Sequence, residues 1–147
     1  MNVPVEYNKD NQTLVIKKSQ ELKPISINLK DNPDLFPVLA VLMSQAQGVS
    51  EVEGIDHLVH KESNRIENTM DLIQSVGGKC SYENKRISIK GRPGQALNQD
   101  IRFDPDEDHR MAMAATLLKY LGAGIEIQSP GVVDKSFPEF SNIVGLR

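Results

Sequence analysis

The sequence predicts a mixed α/β (α+β) fold built from a repeated β-α-β-α-β-β unit. Three observations carry this expectation. Short alternating strand segments are interleaved with longer helical ones. Two helical segments, Leu35 to Ala46 and Arg110 to Leu121, are apolar almost all round, which places them inside the protein. The same landmarks recur when the chain is shifted by 74 residues, the interval from Asp34 to Asp108.

Taken in order, residues 3 to 18 read as a hairpin, with Val3 to Tyr7 and Thr13 to Lys17 flanking the turn Asn8 to Gln12. Ile25 to Leu29 alternates as a strand. Asp31-Asn-Pro-Asp34 is turn chemistry ending in a good N-cap, Asp34, and the first buried helix follows with Pro37 in its opening turn. Gly48 ends that helix, and Val49 to Leu58 is mostly extended. Lys61 opens an amphipathic helix, in which Ile66, Met70, Ile73 and Val76 form one apolar stripe. Gly77-Gly78 stops it. A second hairpin spans Lys79 to Glu83 and Arg86 to Lys90 across Asn84-Lys85. Gln95 to Asp100 is loop and Ile101 to Phe103 a strand. Asp108-His109-Arg110 leads into the second buried helix, which Gly122-Ala-Gly124 ends. Ile125 to Gln128 is a strand, Pro130-Gly131 a turn, and Ser136 to Val144 a last helix beginning near Lys135.

Under the shift, Asp34 falls on Asp108, Gly48 on Gly122, Lys61 on Lys135 and Ile27 on Ile101. The hairpins match with a small slip: Tyr7…Thr13-Leu-Val-Ile-Lys17 beside Tyr82…Arg86-Ile-Ser-Ile-Lys90. On this phase, residues 1–23 are the tail of an upstream unit, 24–91 one complete unit and 92–147 an incomplete one. The expectation is a piece of a longer repeated protein, or a shortened relative, with exposed edges prone to self-association.

Bulk properties narrow the function. The chain has 147 residues, enough for one domain with a proper core. The net charge of -3 argues against general nucleic-acid binding. The longest nearly apolar run, Leu35 to Met43, is too short to span a bilayer, and the first residues do not read as a signal peptide. The single cysteine, Cys80, fits a reducing cytosol and reads as a packed thiol. His57 and His60 have no third metal ligand near them and read as surface residues.

The chemistry concentrates at expected helix starts. Lys61-Glu62-Ser63-Asn64-Arg65 places a carboxylate between two cations in a first turn, with Glu62 on the face that should be buried. The repeat puts Asp34, Arg110 and Lys135 at equivalent starts. If helices pack side by side, Lys61, Arg65, Arg110 and Lys135 converge with the positive helix ends on one mouth. Such a mouth suits a small phosphorylated ligand, with Asp34 and Glu62 standing among the cations. Arg110 on an otherwise apolar helix needs an exposed end or an anion.

Three motifs, Lys61-Glu-Ser-Asn-Arg-Ile66, Asp108-His-Arg-Met-Ala-Met-Ala114 and Val133-Asp-Lys-Ser-Phe-Pro138, together with Pro33-Asp34, resemble the 5-enolpyruvylshikimate-3-phosphate synthase family. The matched stretch is similar to the C-terminal third. The resemblance implies units set around a pseudo-threefold axis, buried parallel helices with sheets outside, and therefore part of an inside-out α/β barrel. It implies transfer of enolpyruvyl from phosphoenolpyruvate to shikimate-3-phosphate in the cytoplasm, without metal or organic cofactor. By resemblance, Arg65, Arg110 and Lys135 bind phosphoenolpyruvate, while Lys61 and Asp34 contact the shikimate moiety. Glu62 shuttles a proton, Asp34 lies near the reacting hydroxyl, and His109 supports the site. The family commonly has Thr-Asp where Ser63-Asn64 stands; His57 is left unassigned. The missing upstream domain would supply the rest of the site, so the isolated chain is expected to be inactive. Two alternatives remain: a relative acting on a UDP-sugar, and a non-catalytic module that binds an anion or a partner.

Overall fold

The computed structural model describes residues 1–19 and 21–144. The end of the expected incomplete unit, 145–147, lies outside the described residues. The elements run β1 (Val5–Asn8), β2 (Thr13–Ile16), β3 (Ser26–Asn28), α1 (Phe36–Met43), β4 (Val49–Glu53), α2 (Arg65–Ser75), β5 (Lys79–Glu83), β6 (Arg86–Lys90), β7 (Ile101–Phe103), α3 (His109–Tyr120), β8 (Ile125–Ile127) and α4 (Phe140–Ile143). Turns of 3₁₀ helix at Pro33–Leu35, Asp56–His60 and Pro130–Lys135 precede α1, α2 and α4.

Among the described residues the strands form three separate sheets. β1 and β2 are an antiparallel pair. The second sheet has the order β3-β4-β6-β5, with β3 parallel to β4 and the β5–β6 hairpin antiparallel beside it. The third is the parallel pair β7–β8. Asn84 and Lys85 both have positive φ, 51° and 61°, the geometry of a two-residue primed turn whose twist matches the strands.

Helices α1, α2 and α3 pack on one another and fill the core. One cluster joins Val41 of α1, Leu72 and Ile73 of α2, and Met111 and Leu118 of α3. A second joins Phe36, Ala40 and Met43 to Val52, Ile87 and Ile89 of the large sheet. Each fully buried side chain of this kind contributes about 1.5–3 kcal/mol. That is why the two helices without a polar face lie inside.

Several boundaries differ from expectation. α2 begins at Arg65 instead of Lys61, because the Asn64 side chain caps it, accepting from the Glu67 amide at 3.3 Å. Lys61, Glu62 and Ser63 therefore precede the helix, and Glu62 is exposed instead of lying on its buried stripe. Asp34 is not an N-cap; it lies within the 3₁₀ turn that runs into α1 and makes no capping bond. The extended stretch ends at Glu53, with 3₁₀ helix from Asp56. The last helix shrinks to Phe140–Ile143, since Pro138 disfavours helical backbone at the residue before it. Lys135 thus closes a 3₁₀ turn instead of opening an α-helix.

Candidate active site

The N-terminal ends of α1, α2 and α3 meet at one place, and Arg65 is its centre. Its side chain is only 1% exposed, yet three carboxylates reach it. Nε donates to Asp108 Oδ2 at 2.6 Å, Nη1 to Asp34 Oδ1 at 2.8 Å, and Nη2 to Glu62 Oε2 at 2.5 Å. A buried guanidinium without such partners would be strongly destabilising. Asp34 uses its second oxygen to accept from Arg110 Nη2 at 2.8 Å. One carboxylate therefore bridges arginines carried by α2 and α3.

Asp108 is fully buried and N-caps α3, accepting from the Arg110 amide at 2.9 Å. The Ser63 hydroxyl donates to it at 3.1 Å. Burial alone would raise the Asp108 carboxyl. The Arg65 hydrogen bond and charge, the Arg110 amide and the Ser63 hydroxyl outweigh burial and hold the group below the usual carboxylate range. Burial likewise works against the Arg65 charge, but its bond to Asp108 and the charges of Asp108, Glu62 and Asp34 leave its pKa raised.

Asp34, Glu62, Arg65 and Arg110 are thus brought together as expected. Arg65, which the sequence presents as a cation flanking Glu62, is the buried hub. Lys135 stands at the rim: its ammonium donates to the Glu107 carbonyl at 3.4 Å, one residue before Asp108. His109 is partly buried in the first turn of α3, and among the described residues no hydrogen bond ties its ring to the cluster. Lys61 is exposed, and among the described residues no ion pair joins it to the cluster. The mouth therefore holds two directly engaged cations instead of four. Asp108 was missed as a site residue; its register with Asp34 was the signal that could have found it. Among the described residues no group of three or more His, Cys, Asp or Glu side chains is arranged to hold a metal ion.

Two arginines against three carboxylates give this cluster a formal charge of -1. It has guanidinium donors of the kind that bind an anion and carboxylates of the kind that move protons, with Arg65 and Arg110 Nη2 engaged by the chain's own carboxylates.

Helix starts converge here around a carboxylate-bridged arginine pair, on a mixed α/β fold. The family profile described as EPSP synthase (3-phosphoshikimate 1-carboxyvinyltransferase) matches residues 1–144, and the chain belongs to this family. A 3-phosphoshikimate 1-carboxyvinyltransferase of Syntrophobacter fumaroxidans is 35% identical over 142 residues, covering 95% of this chain and 32% of the relative. One from Methanosphaera stadtmanae is 34% identical over 139 residues, with the same two coverages. The solved EPSP synthase of Acinetobacter baumannii matches at TM-score 0.79 and 28% identity, over 90% of this chain and 32% of that one. The enolpyruvyl transferase NikO of Streptomyces tendae shares the fold, at TM-score 0.69 and 14% identity over 99% of this chain and 32% of that one. The chain spans about a third of the length of the curated relatives it matches.

Proposed function

We propose that this chain is the C-terminal portion of a 3-phosphoshikimate 1-carboxyvinyltransferase and supplies one half of its active site. The observation that carries the reading is the Asp34 bridge between Arg65 and Arg110. On the reading of 24–91 and 92–147 as two repeat units, this bridge runs between them, at one mouth that also holds Glu62. Residues 1–23 belong to the unit before them. The single cysteine fits a reducing compartment, and the cytoplasm is the proposed setting.

In this reading phosphoenolpyruvate is held by Arg65 and Arg110, with Lys135 closing from the rim. Its phosphate and carboxylate exchange for Asp34 and Glu62 on the guanidinium groups. The exchange places the displaced carboxylates beside the bound substrates. Glu62 then moves a proton to and from the methylene carbon, Asp34 takes the proton of the attacking hydroxyl, and Lys61 contacts the shikimate moiety. His109 supports the site from the first turn of α3. Asp108 does not exchange; it keeps the Arg65 side chain aimed at the mouth. The upstream two thirds of the enzyme supply the remaining shikimate-3-phosphate contacts.

The test is complementation. The chain is mixed with the upstream two thirds of a relative, and phosphate release is followed with phosphoenolpyruvate and shikimate-3-phosphate present. Turnover by the mixture, none by either part, and loss with Glu62→Gln are expected. Robust turnover by the chain alone contradicts the half-site reading, and a folded but inactive mixture contradicts the assignment.

A further inference from the structure

The β5–β6 hairpin carries opposite charges at its closed end and like charges at its open end. Beside the turn, Glu83 stands opposite Arg86, and Arg86 also pairs with Glu53 of β4. At the other end Lys79 stands opposite Lys90, and both residues are exposed. Like charges set directly across a strand pair are destabilising. Among the described residues no ion pair relieves either lysine.

A third cation joins them. Arg92 follows β6, and backbone carbonyls hold its guanidinium in place: Nη1 donates to Val76 at 3.0 Å and Nη2 donates to Ala96. Gly77 makes this approach possible, because a Cβ there would lie 2.3 Å from Arg92 Nη1. Its φ of 87° also favours glycine. Nε of Arg92 is buried, and among the described residues it is the one buried side-chain nitrogen or oxygen without a hydrogen-bond partner. A buried donor left unpaired on a charged group is costly. Gly77, Lys79, Lys90, Gly91, Arg92 and Gln95 line a cavity of about 150 Å³, and none of them is acidic.

We propose that this cavity binds a single phosphate group. It is well below the roughly 300–1,000 Å³ of a drug-sized pocket, so it takes one tetrahedral anion and leaves any ester group outside. Three cations with no carboxylate among them match a phosphate monoester, which carries about −1.5 to −2 charge at pH 7. Arg92 adds directional donors to the point charges of the two lysines. The cavity lies at the C-terminal end of α2, where the helix dipole by itself disfavours an anion. Donors already cover that end: Arg92 Nη1 takes the Val76 carbonyl, and the Asn98 side-chain amide takes the Ser75 carbonyl at 2.9 Å. The 11 residues of α2, about 16 Å of helix, separate the cavity from the mouth at Arg65.

Titrating the ¹⁵N-arginine-labelled 147-residue chain with inorganic phosphate, at an ionic strength held constant with sodium chloride, reads the site. The Arg92 Nε–H resonance should shift saturably. The double variant Lys79→Gln, Lys90→Gln changes exposed positions and removes the like-charge contact, so it should fold at least as stably. It should weaken phosphate binding at Arg92 at least roughly tenfold. The Arg65 and Arg110 resonances report the mouth separately, and the double variant should leave their response unchanged. AMP titrated in parallel distinguishes the source: binding at least as tight as that of inorganic phosphate marks a phosphate ester, and weaker binding marks the free ion. An Arg92 resonance that stays still, one that chloride moves equally, or an affinity indifferent to the double variant overturns the proposal.

Discussion

The Arg65 guanidinium and the Asp108 carboxylate form a two-point ion pair with Nε–Oδ2 at 2.6 Å and Nη2–Oδ1 at 3.4 Å, in which neither side chain is more than 1% exposed. The pair fastens the start of α2 to the start of α3. It also fixes the direction of the two guanidinium nitrogens that face Asp34 and Glu62.

Removing one partner should be costly. Asp108→Ala leaves a buried guanidinium short of its main acceptor and removes the N-cap of α3. The expected loss is about 3–5 kcal/mol from the orphaned charge and ~1 kcal/mol from the cap. Urea unfolding followed by circular dichroism measures it; a loss below ~1 kcal/mol contradicts a structural role for the pair.

The pH dependence has a definite sign. Asp108 has a folded-state pKa below its ordinary value of 3.8, so the unfolded chain binds its proton first. The stabilisation is present in full above the ordinary value and is lost as pH falls through the lower folded value. Urea midpoints between pH 6 and pH 2 should decline below pH ~4. Asp108→Asn, which cannot titrate, should be less stable at pH 6 and show a flatter decline.

Glu62 and Asp108 should separate chemistry from architecture. In the complemented enzyme Glu62→Gln should lower kcat by roughly 10²–10⁴-fold with little change in stability, because Glu62 is exposed and lies outside α2. Asp108→Asn should change both. Matched losses of stability in the two variants would contradict this division.

Cys80 should be sluggish. Burial pushes its thiol up; the Gln74 amide opposes this and the Asp71 charge adds to it. Alkylation by iodoacetamide at pH 8 should be slow in the folded chain and accelerate on unfolding. Equal rates in both states contradict the packed-thiol assignment.

Much of the fold was legible because the strongest signals are local. Asn84-Lys85 between two alternating runs marks the second hairpin, and the nearly all-round apolar character of Leu35 to Ala46 and Arg110 to Leu121 marks the inner helices. The charged run from Lys61 suggests an earlier start for α2 than the one the chain adopts at Arg65. Asn64 with Glu67 three residues later is the capping signal that wins. The core of the site was harder to read. Asp108 is sufficient as a cap from sequence alone, and only the meeting of three helix ends makes it the anchor of Arg65. Lys61 and Lys135 were expected to share the mouth because their positions recur. A recurring position does not fix where a long, solvated side chain goes.

The central claim is that Arg65 and Arg110 receive the anion. Titrating the ¹⁵N-arginine-labelled chain with phosphoenolpyruvate tests it most directly. The Nε–H resonances of Arg65 and Arg110 should shift together and saturably, and Arg110→Ala should abolish the Arg65 shift. Shifts confined to Arg86, Arg92 or Arg102, with Arg65 and Arg110 unmoved, would contradict it.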